Sequence, residues 1–275
     1  MNSRKLAIKN NFFTTNRAFL LYTMFFFICL VLATPYDRAW SLEWIQNATP
    51  LMKWWSRVVH QGVFINGRPG ITDMTWVVLA WCIYKYYKNK PHDSLQNQAK
   101  YYIFFFSNTI LLSIGLTRAL KILFARPRPY GWSEKIGSFP YWYDFHQTFL
   151  PADQMISFHG SMPSGHTISM VCLIGTLPLL IKKPTWLRAL IVALITFATL
   201  AVGFGRVIKQ AHWITDCLCS GLFGGFLTWA HYRAFESIKP INNRKYLVNI
   251  IFISIGLIFI GVLGSLALHY THKIY

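Results

Sequence analysis

Three short segments of this chain carry residues able to act on an anion. The first is KILFARPRP, residues 121–129, where Lys121, Arg126 and Arg128 gather beside two prolines with no acid among them. The second is PSGH, Pro163 to His166, and the third is GRVIKQAHWITD, Gly205 to Asp216. Gly165 lets backbone approach a ligand closely, and a helix opening there offers unpaired N–H groups to an anion. Ser164 could cap that helix or donate to the anion. His212 and Asp216 are four residues apart, so on a helix they share a face. A carboxylate that accepts from one imidazole nitrogen fixes the tautomer and makes the other nitrogen a better nucleophile.

Each feature alone has a plainer reading. PSGH can be an N-cap, a His–Asp pair at a helix end can be a structural hydrogen bond, and Lys or Arg can snorkel to lipid headgroups. Taken together on one face, the cations Lys121, Arg128 and Arg206, a glycine-opened helix terminus and the two histidines His166 and His212 make a phosphate cradle with a nucleophile and an acid. The uncompensated charge then balances a phosphate that the chain does not itself contain.

The spacing Lys121–x6–Arg128–Pro129, Pro163-Ser164-Gly165-His166 and Arg206–x5–His212–x3–Asp216 resembles the signature of the type 2 phosphatidic acid phosphatase family. Its superfamily also holds bacterial acid phosphatases and vanadium haloperoxidases. The likeness is anchored in residues 118–220 and extends over the apolar runs. It implies that His212 attacks phosphorus and becomes phosphohistidine, that Asp216 orients it, and that His166 protonates the leaving group. Lys121, Arg128, Ser164, Gly165 and Arg206 are implied to hold the phosphoryl oxygens. Arg126 and Lys209 match no motif position and are expected only to contact headgroups. Gly205 is a departure, since the family usually has Ser before the Arg. The acids are scattered along the chain with no paired spacing near the motifs, so no metal and no cofactor is expected.

These segments need elements to carry them, and composition says what kind. The chain has 275 residues, is 54% hydrophobic, and holds 27 Lys+Arg against 9 Asp+Glu. The charges sit between long uncharged runs: 19 residues from Ala18 to Tyr36 and 27 from Tyr246 to His272, counting His as neutral. Such lengths fit a bilayer core of roughly 30 Å crossed at about 1.5 Å per residue. The expectation is an all-α, polytopic membrane helix bundle whose partner is the lipid bilayer, not a nucleic-acid binder. Seven spans are expected, one more than the family's usual six: 18–36, 71–87, 101–124, 165–181, 187–204, 213–232 and 246–270. They form a single domain over 18–270, flanked by tails at 1–17 and 271–275. The first run is read as a retained anchor. The tryptophan-rich stretch 40–64 is expected to be an interfacial helix, and the aromatic loop 126–163 could roof the site. The five cysteines fall in apolar runs and are read as small buried residues.

With the N-terminus in the cytoplasm, 15 of the 27 Lys and Arg lie inside. Six of the other 12 are Arg118, Lys121, Arg126, Arg128, Arg206 and Lys209, in two tight clusters that oppose the topology rule. Phosphate binding explains them where topology does not. The expected protein is an integral membrane lipid-phosphate phosphatase, its site on the periplasmic face of a bacterial inner membrane. Substrates implied by the family are undecaprenyl diphosphate, phosphatidylglycerol phosphate, phosphatidic acid and lipid A. A phosphotransferase using the same phosphohistidine and an anion-binding or transport protein are the alternatives. The second has no use for a nucleophile and an acid.

Overall fold

The computed structural model describes residues 16–60, 77–78, 80–81, 84, 102–131, 139, 141–143, 160–180, 185–236 and 243–272. Every regular element among them is helical. Helix α1 (Asn16–Ala33) has no glycine or proline and carries no charge beyond Arg17. Pro35 interrupts it with one 3-10 turn, Thr34–Tyr36, and the chain re-enters helix at once as α2 (Asp37–Gln46). Thr49 then starts α3 (Pro50–His60): its hydroxyl accepts from Met52 N–H at 3.3 Å, and Pro50 fills a first-turn position that needs no donor.

Helix α4 (Tyr102–Phe124) contains a π-helical stretch, Ile110–Leu116. The Thr117 hydroxyl donates to the Leu112 carbonyl, five residues back, at 2.7 Å. The wider turn re-aims the residues that follow, Lys121 among them. Ala125 ends α4 in the left-handed region (φ 45°), with its N–H on the Lys121 carbonyl at 3.0 Å. After it come α5 (Gly165–Leu180), α6 (Thr185–Ile208), α7 (Ile214–Glu236) and α8 (Asn243–His272).

Three stretches among the described residues are long and apolar enough to cross a membrane: Leu20–Gln46, Tyr102–Phe124 and Lys245–Gly264, with Ala193–Ile208 a shorter apolar segment. Leu21, Phe27 and Leu32 on α1 and Phe252, Ile260 and Leu263 on α8 face outward, as the lipid-facing residues of a membrane bundle do. The expected helical membrane bundle is therefore the observed architecture. Helix α7 packs against α1, α5 and α6, α8 runs along α4, and α3 lies on α6.

Small residues let these helices close. A Cβ on Gly221 would lie 2.1 Å from the Phe26 ring, and one on Gly225 2.0 Å from the Tyr22 ring. The Tyr22 hydroxyl also donates to the Gly221 carbonyl at 2.7 Å. Helices in lipid associate mainly by such close packing. Gly221→Val is accordingly expected to pry α1 from α7 and to lower the thermal transition in detergent by several degrees. An unchanged transition would show that this contact does not hold α1 in place.

One expectation needs revision. Residues 40–64 are not one interfacial helix. Trp40 and Trp44 belong to α2, which continues the first apolar run, and Thr49 begins a separate α3; residues 61–64 lie outside the described set. Trp44 meets Phe204 of α6 edge-on at 5.0 Å, so it packs inward. The second expected span, 71–87, lies largely outside the described residues; positions 77, 78, 80, 81 and 84 within it are helical. Of the cysteines, Cys172, Cys217 and Cys219 are buried free thiols, and Cys29 is partly exposed.

Candidate active site

The three segments meet at one end of the bundle. Lys121 is in the last turn of α4, with Arg126 and Arg128 just beyond it. Ser164, Gly165 and His166 open α5. Arg206 is in the last turn of α6, and His212 and Asp216 straddle the start of α7.

His212 is 2% exposed, and its Nδ1 lies 2.5 Å from the Ser161 carbonyl. A carbonyl only accepts, so Nδ1 carries the proton and Nε2 carries the lone pair. Burial, followed by the Arg206, Lys121 and Arg128 charges, pushes the His212 pKa well below the ordinary imidazole value; the Ser161 carbonyl opposes this. Its neutral, nucleophile-competent form therefore survives acidification past the point at which a free imidazole protonates.

The expected hydrogen bond from His212 to Asp216 is not formed. His212 lies in a bend ahead of α7 and not on the helix. Its Nδ1 is 3.8 Å from Asp216 Oδ2, within ion-pair reach only. Asp216 Oδ2 accepts instead from the Trp213 N–H at 2.8 Å, which caps α7 and pins the backbone beside His212. Asp216 Oδ1 accepts from Arg126 Nη1 at 2.6 Å.

That last contact overturns the headgroup reading of Arg126. The side chain is 1% exposed, and its Nη2 donates to Asp37 Oδ2 at 2.7 Å. Thr215 completes the link: its hydroxyl accepts from Arg126 at 2.8 Å and donates to Asp37, and its N–H donates to Asp37 at 3.1 Å. The guanidinium also stands over the Phe139 and Trp213 rings. Burial disfavours its charge, but the Asp216 and Asp37 carboxylates outweigh that and raise its pKa. The pairing of Asp37 with Arg126 is not legible in the sequence because they are 89 positions apart and neither matches a motif position. A lone acid following a long apolar run was the available signal.

Ser164 acts as the expected cap of α5. Its Oγ accepts from the Thr167 N–H at 3.5 Å and from the Thr167 hydroxyl at 2.9 Å, and its backbone N–H donates to Ser220 Oγ at 2.7 Å. Lys121 donates to the Gly160 carbonyl. Arg128 stands over the Tyr130 ring at 5.9 Å, and burial lowers its pKa. Lys209 is exposed at the end of α6. Of the aromatic loop, Phe139 meets Trp213 edge-on at 4.9 Å and Trp142 donates to Thr34 Oγ1 at 2.8 Å, so this part covers the Arg126 network; most of the loop lies outside the described residues.

Three buried polar atoms here have no hydrogen-bond partner among the described residues: His166 Nε2, Arg206 Nε and Ser161 Oγ. Buried polar atoms are seldom left so, and around a cationic pocket they suit an anion. Among the described residues, no group of three His, Cys, Asp or Glu could hold a metal ion.

Gly205, which departs from the expected Ser, has a steric reason. A Cβ there would lie 3.1 Å from Val59 and 3.2 Å from Trp55, both on α3.

No curated protein and no solved structure matches the chain. Residues 102–240, from α4 to just past α7, match the PAP2 superfamily. That region is half of the chain and holds all three motifs, so the chain belongs to the PAP2 superfamily, a family of phosphatases that includes enzymes acting on lipid phosphates.

Proposed function

We propose that this protein is an integral membrane phosphatase that removes phosphate from a lipid through a phosphohistidine on His212. The observation that carries the reading is the His212 tautomer, an Nε2 lone pair within a cationic pocket that also holds the unpartnered His166 Nε2 and Arg206 Nε. His212 Nε2 attacks phosphorus and the P–O ester bond breaks. The leaving oxygen takes a proton from His166, whose protonated form a bound phosphate dianion favours. Water then attacks the phosphohistidine and returns a proton to His166, and orthophosphate departs. Lys121, Arg128 and Arg206, with the Ser164 hydroxyl and the Gly165 N–H, hold the phosphoryl oxygens through both steps. Asp216 steadies the backbone at His212 and faces its imidazolium at 3.8 Å.

An apolar crevice of about 400 Å³ supports a lipid substrate. It is lined by Phe26, Trp44, Phe197, Leu200 and Phe204, together with Thr167 and Cys217, the sequence neighbours of His166 and Asp216. Its size is that of a small-ligand cleft. Substrate chemistry of the undecaprenyl diphosphate, phosphatidylglycerol phosphate, phosphatidic acid or lipid A kind fits this pairing, with the site on the periplasmic face of a bacterial inner membrane. The carboxylates at the site are already engaged by Arg126, Thr215 and Trp213, which supports a metal-independent reaction.

The test is orthophosphate release by the purified protein from a panel of these lipids in EDTA, with and without orthovanadate. Release in chelator and a block by orthovanadate are expected. Transfer of phosphate to a second lipid without free orthophosphate would make the protein a phosphotransferase. Loss of activity in EDTA with recovery on adding magnesium would overturn the metal-free mechanism.

A further inference from the structure

We propose that His60, brought to the site by α3, is a positioning residue for Arg206: its neutral imidazole accepts from the guanidinium and holds it in the orientation that meets phosphate. The proposal rests on the phosphatase reading of the same site.

Arg206 Nη1 lies 2.6 Å from His60 Nδ1. A guanidinium has no acceptor, so Nδ1 accepts and the His60 proton sits on Nε2. Arg206 is 3% exposed, and its Nε has no partner among the described residues. One edge of the guanidinium is thereby committed and the Nε–H remains for an anion. A carboxylate in the place of His60 would orient Arg206 equally well but cancel the charge that phosphate needs. A neutral imidazole orients without cancelling. Preorganised donors are worth most when fixed before the reaction, and a buried guanidinium needs such a fixture.

Helix α3 reaches Arg206 because α6 lets it approach. The Trp55 indole donates to the Ala201 carbonyl at 2.7 Å. One turn on, Gly205 presents no side chain where Val59 and Trp55 pack, with Val59 fully buried. At the next position His60 meets Arg206. The departure from Ser at 205 therefore coincides with the seating of α3. Helix α3 lies outside the stretch 102–240, so His60 is not one of the motif residues.

Among the described residues, the charged and titratable groups acting on His60 are Arg206 and Lys209 from α6 and the turn after it, Arg128 from the segment after α4, and His166 from α5. Burial, followed by the Arg206, Lys209 and Arg128 charges, lowers the His60 pKa. Neutral His60 thus persists above that lowered value. As pH falls through it, the imidazole protonates, the acceptor is lost and two cations stand in contact.

The test uses the purified full-length protein with dioleoyl phosphatidic acid in mixed micelles, reading phosphate release from pH 5 to 8. Orthovanadate binding is followed in parallel by thermal shift. His60→Ala is expected to raise KM and the orthovanadate constant together by about tenfold or more, the effect of losing a hydrogen bond to a charged group, with kcat changed by less than about threefold. Asn keeps an acceptor near the Nδ1 position and does not titrate. His60→Asn is therefore expected to restore both constants to within about threefold and to lose part of the acidic fall in activity. Unchanged constants in His60→Ala, or His60→Asn as damaged as alanine, would overturn the proposal. Should His60→Ala not fold, identical acid limbs for wild type and His60→Asn overturn it and a diminished limb supports it. If the wild type releases no phosphate, the phosphatase reading fails on its own. The orthovanadate shift then still decides the role of His60: weakened in the variant supports it, unchanged overturns it.

Discussion

His212→Asn is expected to abolish phosphate release while the helix bundle stays folded. The asparagine amide can replace Nδ1–H as donor to the Ser161 carbonyl, so the buried acceptor keeps its partner. What disappears is the Nε2 lone pair. Loss of a nucleophile in a cooperating set costs about 10⁴-fold or more in turnover. The measurement is phosphate release by wild type and variant at equal helicity. A phosphoryl group that is stable in base and labile in acid should be trapped on wild type and absent from His212→Asn. Retention of more than a few per cent of wild-type turnover would sink the nucleophile assignment. His212→Ala should be as inactive but less stable, because it strands the Ser161 carbonyl.

Arg126→Met carries the largest expected cost in stability. Arg126 is 1% exposed, Asp37 and Asp216 are 0% exposed, and one guanidinium serves both carboxylates. Removing it leaves two buried anions with only neutral donors. Breaking a buried pair by deleting one partner costs about 3–5 kcal/mol, because the remaining charge stays desolvated. A marked fall in thermal transition in detergent is expected, with loss of activity as Asp216 releases the backbone beside His212. Arg126→Lys should fall between, since a single ammonium cannot bridge two carboxylates with a planar fork. Adding Asp37→Asn to Arg126→Met removes one stranded charge and should recover part of the loss, a non-additivity expected of residues in one network. A single variant as stable as wild type would show that the network does not secure α2 to α7.

The motif residues were legible because their chemistry is local. Lys121, Arg128, Ser164, Gly165, His166, Arg206 and His212 each sit within a few residues of a helix end, and the structure brings all three segments to one end of the bundle. Arg126 was misread for the same reason that Lys121 was read: local sequence shows a charge but not its partner. Its partner Asp37 lies on the far side of the first apolar run. His60 stands in a stretch read as a surface helix, and only the seating of α3 on Gly205 brings it to Arg206.

Composition and the length of the uncharged runs by themselves determined that the chain is a helical membrane bundle, because apolar runs of this length have no other stable solvent. The start of α5 at Ser164 was also legible, because a cap acts on its own neighbours, whereas the breaks at Pro35 and before Pro50 were read through. Only the tertiary structure decided which atom orients His212, which acids neutralise Arg126 and which residue fixes Arg206. Those are contacts between groups 51 to 146 positions apart. A hydrogen bond depends on position to within tenths of an ångström. That placement follows from how the helices pack: the glycine faces of α7 and α6, and the π turn in α4, set where each side chain arrives.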